Sequence, residues 1–336
     1  MTKKIHIPIF WDVDLTITEQ YQQIPFFLQH EAAIKEACEQ EGIRYVDPYS
    51  YFFRCDILGD PGLNYLQRMV LDCQKGGIFE GLKTAQLKET AKDVQLAPGL
   101  KECMLELERL FKDRAILHHF FVSVGIKHII EGIVQVHQLP VTDIVASEFL
   151  TDENDTIIGI KRVVTPFTKN QWIIGAMKGE DSLLNTALSP EQYRYEYKNM
   201  IVIGDGKTDA AKFAYAKKRG GTPVAVYRAG DQQAYAKTKD AVGSWVDFVL
   251  ERDYTPGKKT FSYLCQTIEK KLQQESMINP TLLYYYARNK LTHPDEIAFV
   301  ESFLKKNPRV NAYFEKVFVD ANQQVTFGSY LEQKRE

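Results

Sequence analysis

Residues 7–16 read IPIFWDVDLT, an apolar run that ends at two carboxylates, Asp12 and Asp14. Successive side chains of a β-strand point to opposite faces, so a half-buried strand has no packing reason to carry both acids at its tip. Loops at the carboxyl ends of parallel strands surround a crevice, where carboxylates can act on a ligand. An Asp-x-Asp pair also occurs by chance in turns and helix caps, so its meaning depends on the rest of the chain.

A second apolar strand ends in acids at residues 200–209, which read MIVIGDGKTD and carry Asp205 and Asp209. A helix is predicted from 210 to 218, because basic residues and then Gly220 follow as stop signals. A plain strand–turn–helix unit would explain the glycines. It would not explain two acids four residues apart.

Two further segments lie between these acidic turns. Residues 120–125 read FFVSVG and predict a third strand that ends at Ser123 and Gly125, before a helix at 127–138. Ser123 has two compatible interpretations: an N-cap, which is the commoner role for such a serine, and part of an anion site at the helix N-terminus. Lys169 lies near the start of another predicted helix. A lone lysine there is usually a surface charge, and Lys178 is a rival for any special role.

In this order, the four motifs resemble those of the haloacid dehalogenase-like superfamily, and most of all its phosphoserine phosphatase-like branch. The resemblance covers residues 5–255. It implies an α/β fold: a Rossmann-like, doubly wound, mostly parallel sheet with a helical cap domain and a helical C-terminal extension. The implied domains are a discontinuous catalytic core (1–16 and 96–254), the cap (17–95) and the extension (255–336).

The resemblance also implies roles for the motif residues. Asp12 would be the nucleophile that forms an aspartyl-phosphate, and Asp14 the general acid and base. The transferring phosphoryl group would be bound by Ser123 and Lys169, together with Thr16 and Gly125. Mg²⁺ would be the cofactor, held by Asp12, the backbone carbonyl of Asp14 and Asp205, with Asp209 supporting the metal.

These residue types suit phosphoryl transfer on chemical grounds as well. A carboxylate that attacks a phosphate dianion meets like-charge repulsion, which a hard cation with oxygen ligands reduces. A lysine and neutral donors then stabilise the charge on the phosphoryl oxygens. Asp14 disfavours dehalogenation, because a halide leaves without a proton and dehalogenases of this superfamily lack an acid at that position.

Length and composition limit the other possibilities. A chain of 336 residues suits two or three units. Its net charge of −2, without a basic stripe, argues against nucleic-acid binding. Five widely spaced cysteines indicate reduced thiols in the cytoplasm. No stretch is apolar and long enough to span a membrane. His118 and His119 are interpreted as strand-edge residues, and the oligomeric state is left open.

The cap offers candidates for reading the substrate. The segment 42–56 is rich in aromatic residues and carries Arg44 and Arg54. These arginines are either surface residues of the cap core or a clamp for a carboxylate or second phosphate. Phosphoserine phosphatases use a glutamate shortly after the first motif to read the amino acid. Tyr21 occupies the matching position here, so phosphoserine is not the expected substrate.

The leading hypothesis is therefore a Mg²⁺-dependent phosphatase, a phosphoric monoester hydrolase that acts on a small phosphorylated metabolite. One alternative is a phosphotransferase that passes the same phosphoryl group to an alcohol. The other is a non-catalytic regulator that only binds a phosphorylated ligand.

Overall fold

The computed structural model describes residues 4–52, 62–179, 185–189 and 192–276, and beyond them 283, 285–286, 292, 294–306 and 311. The chain forms two compact units, Met1–Lys271 and Leu272–Glu336. No helix within the described residues is both long and apolar enough to cross a membrane.

The first unit is built on a single sheet, whose strands in the described residues are β1 (Ile5–Trp11), β2 (Ala115–Ile126), β3 (Asp143–Thr151), β4 (Ile157–Arg162), β5 (Ile201–Gly204), β6 (Thr222–Tyr227) and β7 (Val249–Glu251). The spatial order is β4-β3-β2-β1-β5-β6-β7. β3 and β4 pair antiparallel, and the other neighbours pair parallel. The predicted doubly wound, mostly parallel α/β sheet is confirmed.

Helices precede, connect and follow these strands. Their bounds are α1 (Ile24–Gln29), α2 (Glu31–Gln40), α3 (Leu63–Asp72), α4 (Thr84–Glu89), α5 (Leu100–Phe111), α6 (Lys127–His137), α7 (Lys169–Lys178), α8 (Ala210–Lys218), α9 (Gln232–Val242), α10 (Lys259–Ser276) and α11 (Pro294–Lys306). α1 to α4 lie in the insertion between β1 and α5. α8 has the predicted bounds, because basic residues and Gly220 end it.

β1 is the central strand because its side chains are apolar enough to be buried on both faces. Phe10 is fully buried and stacks on Phe120 of β2, with ring centroids 5.0 Å apart. It shares a buried cluster with Ile173 of α7 and Phe213 of α8. β1 pairs with β2 on one side and β5 on the other, so the direction of winding reverses at this strand. A crevice at its carboxyl end follows from that reversal.

The hairpin of β3 and β4 holds the end of the insertion between β1 and α5. Asp155, at the turn of the hairpin, has a φ of +66°. Its carboxylate accepts hydrogen bonds from the Thr84 hydroxyl (2.6 Å) and the Ala85 N–H (3.0 Å) at the start of α4. The backbone N–H of Ile157 donates to the Leu82 carbonyl at 2.9 Å. α4 also packs on α6, so this part of the insertion is fixed to the core.

The interpretation of His118 and His119 as strand-edge residues is wrong. Both lie within β2, which has β1 on one side and β3 on the other. His119 is fully buried, and its Nδ1 accepts the indole N–H of Trp11 at 3.1 Å. The imidazole is tolerated there because it is neutral: burial, followed by the neighbouring His118, lowers the pKa of His119 to about 3.

We expect His119 to make the protein sensitive to acid. Its folded pKa lies below its ordinary value, so below about pH 6.5 the unfolded chain takes up a proton that the folded chain does not. When the pH is lowered from about 7.5 to about 5, the free energy of unfolding should fall in both proteins. The fall should be about 2 kcal/mol smaller in His119→Gln than in the wild type. Denaturant unfolding at the two pH values measures this. His137→Gln, at the partly exposed end of α6, controls for the loss of a histidine. Parallel losses in His119→Gln and wild type would refute the explanation.

Candidate active site

Three neighbouring strands, β1, β2 and β5, bring the predicted motifs together. Trp11 of β1 lies opposite Phe121 of β2 and Ile203 of β5 in the sheet register. The residues that follow these positions therefore share one edge of the sheet. The Asp12 N–H donates to the Ile203 carbonyl at 2.9 Å, which extends the pairing one residue further.

Lys169, the first residue of α7, is the cation that joins the acidic turns. Its Nζ lies 2.5 Å from Oδ1 of Asp12 and 3.0 Å from Oδ1 of Asp209. All three side chains are buried, so each charge has a partner of opposite sign where water cannot supply one. Lys178 instead donates to the Thr186 carbonyl at 2.7 Å. Of the two rival lysines, Lys169 is thus the one in the acidic cluster.

Lys212, on α8, is a second buried cation that was not predicted from the sequence. Its Nζ lies 2.8 Å from Oδ1 of Asp209 and 3.1 Å from the Ile203 carbonyl. The other oxygen of Asp209 accepts the Asp205 N–H at 3.2 Å. Both oxygens of Asp209 are therefore engaged. The available signal was its spacing, because a lysine three residues after an acid faces that acid on a helix.

The pKa shifts show how unevenly this charge is balanced. Burial, and then the charge of Asp209, raise the pKa of Asp12; the same causes, with Asp12, raise that of Asp205 to about 8. Burial also acts to raise the pKa of Asp209, but Lys169 and Lys212 outweigh it, and the pKa is lowered. Asp12 and Asp205 are therefore the carboxylates whose negative charge is least compensated by the two lysines.

The residues present fit a divalent cation. Asp12, Asp205 and Asp209 each offer a carboxylate oxygen, and these atoms lie within 4.8 Å of one another. Within the described part of the chain, no group donates a hydrogen bond to the Asp205 carboxylate. An all-oxygen donor set around excess negative charge suits a hard cation such as Mg²⁺.

A tight turn after Asp12 places Asp14. The Val13 carbonyl accepts the N–H groups of Thr16, Ile17 and Thr18 at 3.1, 2.9 and 3.2 Å. Oδ1 of Asp14 accepts the Gln22 N–H at 2.7 Å. Burial, with a smaller contribution from Asp12, outweighs that hydrogen bond and raises the pKa of Asp14 to about 7. Such a carboxyl can both give and take a proton near neutral pH.

Thr16 is held at the base of this turn by its backbone. Its carbonyl accepts the Tyr254 hydroxyl at 3.0 Å, and Arg252 donates to the Leu15 carbonyl at 2.7 Å. The buried Thr16 hydroxyl has no hydrogen-bond partner among the described residues. Its role toward a phosphoryl group stays a prediction.

Ser123 is not the predicted N-cap, because β2 continues to Ile126 and α6 begins only at Lys127. Its Oγ accepts the Gly125 N–H at 2.9 Å, which leaves the hydroxyl hydrogen available to donate. A side chain at Gly125 would overlap the amide of Gln22, which would have to move away.

Gln22 joins the first turn to the end of β2. With its side-chain nitrogen oriented toward the Ile126 carbonyl, which is the orientation that satisfies both amide atoms, Gln22 pairs with the carbonyl and the N–H of Ile126 at 3.1 and 2.9 Å. Its own backbone N–H donates to Asp14. This residue was not predicted from the sequence. No local pattern marks it, because its partner Ile126 is distant in the chain.

The predicted substrate residues of the cap are placed only in part. Arg44 is exposed and lines an open cavity of about 470 Å³ together with Tyr49. Tyr21 is 46% exposed, and its ring stacks on Tyr49 with centroids 5.8 Å apart. Arg54 lies outside the described residues.

No family model matches the chain, and neither does any curated protein sequence. Several solved structures are similar to it. A cytosolic 5'-nucleotidase IIIB bound to cytidine is 16% identical, with a TM-score of 0.48, over 80% of this chain and 87% of that one. A phosphoserine phosphatase in apo form is 13% identical, with a TM-score of 0.45, over 75% and 95%. A phosphoserine phosphohydrolase-like protein from Francisella tularensis subsp. tularensis SCHU S4 is 16% identical, with a TM-score of 0.38, over 74% and 94%.

We expect Gly204→Ala to disturb the acidic cluster. A Cβ at this position would overlap the Asp209 carboxylate, so the variant should lose about 1–3 kcal/mol of unfolding free energy. Gly206→Ala is the matched control, since its Cβ would meet nothing within 4 Å. Equal thermal unfolding midpoints for the two variants would show that Asp209 is not held as described.

Proposed function

We propose that this protein is a Mg²⁺-dependent phosphatase of the haloacid dehalogenase-like superfamily that hydrolyses a small phosphomonoester through an aspartyl-phosphate. The observation that carries the proposal is the buried Lys169 ammonium between Asp12 and Asp209. It provides a charge for phosphoryl oxygens directly beside a carboxylate nucleophile. The carboxylate of Asp205, which no described group hydrogen-bonds, supports a cation site next to both.

In the first step, a carboxylate oxygen of Asp12 forms a bond to phosphorus while the ester P–O bond breaks. Oδ1 of Asp12 faces Lys169, so Oδ2 is the oxygen free to attack. The leaving alkoxide takes its proton from Asp14. Oδ1 of Asp14 already accepts an N–H, so this proton resides on Oδ2.

In the second step, water attacks phosphorus and gives a proton to Asp14, and the bond between phosphorus and Asp12 breaks. Inorganic phosphate leaves, and Asp12 and Asp14 regain their starting states. Lys169 and the Ser123 hydroxyl stabilise the phosphoryl oxygens in both steps. Mg²⁺ held by Asp12, Asp205 and the Asp14 carbonyl, with Asp209 in support, would reduce the repulsion between nucleophile and phosphate.

The cap (17–95) is proposed to exclude water and read the substrate, with Tyr21 and Arg44 as candidates for contact. The core (1–16 and 96–254) would carry the chemistry, and the extension (255–336) has no role assigned. Four described cysteines are free thiols, which is typical of a reducing compartment and supports the predicted cytoplasmic location.

The proposal is tested by phosphate release from a broad panel of phosphoesters, with Mg²⁺ and with chelator. We expect turnover that chelator abolishes, and a loss in Asp12→Asn of at least about 10³-fold, since an amide cannot serve as the nucleophile. Asp240→Asn, on the exposed face of α9, should retain full activity.

Other outcomes of this assay separate the alternatives. Phosphate transfer to added alcohols, in place of release, would support the phosphotransferase. No turnover on any compound, with ligand-induced thermal stabilisation retained, would overturn catalysis in favour of a binding role.

The loss of rate caused by Asp14→Asn should depend on the leaving group of the substrate. An alkoxide needs a proton to leave, whereas nitrophenolate does not. We expect kcat to fall by about 10²–10⁴-fold on alkyl phosphates and much less for the first step on nitrophenyl phosphate. Burst kinetics with nitrophenyl phosphate isolates that step. Equal losses for both substrates in the first step would exclude Asp14 as the acid.

A further inference from the structure

Lys212 is a buried cation for which the mechanism above has no use. It is 1% exposed, and it shares Oδ1 of Asp209 with Lys169. Asp209 already has a partner in Lys169, so pairing alone does not require a second ammonium. An apolar residue would bury at this position of α8 without desolvating a charge, as its neighbour Phe213 does.

The charge count of the cluster gives Lys212 a purpose. Three carboxylates, Asp12, Asp205 and Asp209, share one site, and Lys212 adds a second ammonium group to that of Lys169. Burial lowers the pKa of Lys212, and the adjacent Asp209 opposes that shift. Removal of the Lys212 ammonium would make the cluster more negative by one charge, so the site would bind a divalent cation more tightly and repel a phosphate dianion.

We propose that Lys212 is a fixed cation that acts through Asp209 to balance the active-site carboxylates, so that one divalent cation and a phosphate dianion can bind together. The inference rests on the proposed phosphatase function. Lys212 is a positioning residue, since it contacts Asp209 and the Ile203 carbonyl and not the reacting atoms.

A purely structural role is the competing explanation. The 3.1 Å hydrogen bond to the Ile203 carbonyl ties α8 to the end of β5, and its loss could loosen the whole cluster. Loosening would weaken the binding of cation and anion alike. A charge effect moves the two affinities in opposite directions, which separates the explanations without any assay of turnover.

The test is a charge cycle measured by calorimetric titration with Mg²⁺, and with inorganic phosphate at saturating Mg²⁺. In Lys212→Met, the dissociation constant for Mg²⁺ should fall about tenfold and that for phosphate should rise about tenfold. Asp209→Asn should show the opposite shifts. The double variant Asp209→Asn/Lys212→Met restores the net charge and should return both constants to within about threefold of the wild type.

Lys217→Met, which removes an exposed lysine from the same helix, should change neither constant. If Lys212→Met does not fold, the comparison of Asp209→Asn with the double variant decides the matter. Weakened binding of both ligands in Lys212→Met, or no recovery in the double variant, would overturn the inference. Unchanged dissociation constants for Mg²⁺ and phosphate in every variant would also overturn the inference. The phosphatase proposal would still be supported by a loss of turnover in Asp12→Asn. A wild type that binds neither ligand would overturn both proposals.

Discussion

The arrangement of the site depends on one interaction, the pairing of the buried Lys169 ammonium group with Asp12 and Asp209. A buried charge without a partner is strongly destabilising, so the end of β1, the start of α7 and the turn after β5 must meet at this point. The parallel register brings the residues after these strands to one edge of the sheet. The ion pairs of Lys169 then fix the start of α7 at that edge. A common demand for charge compensation thus links the fold to the proposed chemistry.

Much of this frame could be predicted, because it follows from local patterns. Apolar runs that end in acids marked β1 and β5, and helix stop signals gave the bounds of α8. The α/β class follows from the same alternation and is confirmed. Asp12, Lys169 and Asp209 were each named from the sequence, and the structure brings their charged atoms together.

What could not be predicted depends on contacts through space. Lys212 belongs to a helix rich in lysine, where the usual interpretation is a solvated face. The side chain of Gln22 pairs with Ile126, and the buried His119 accepts a hydrogen bond from Trp11. Ser123 was expected to cap a helix, but the strand extends three residues beyond it. A sequence pattern gives local conformational propensities, whereas the contacts of Gln22 and His119 depend on partners distant in the chain.

The contact between Asp155 and the start of α4 bears on how this protein could change over evolutionary time. The insertion between β1 and α5 and the β3–β4 hairpin are distant in the sequence, yet the carboxylate of the hairpin completes the first turn of a helix in the insertion. Exchange or shortening of either segment alone would leave backbone groups at their junction without partners. The two segments are thus coupled structurally, so a change in the length of one constrains the other.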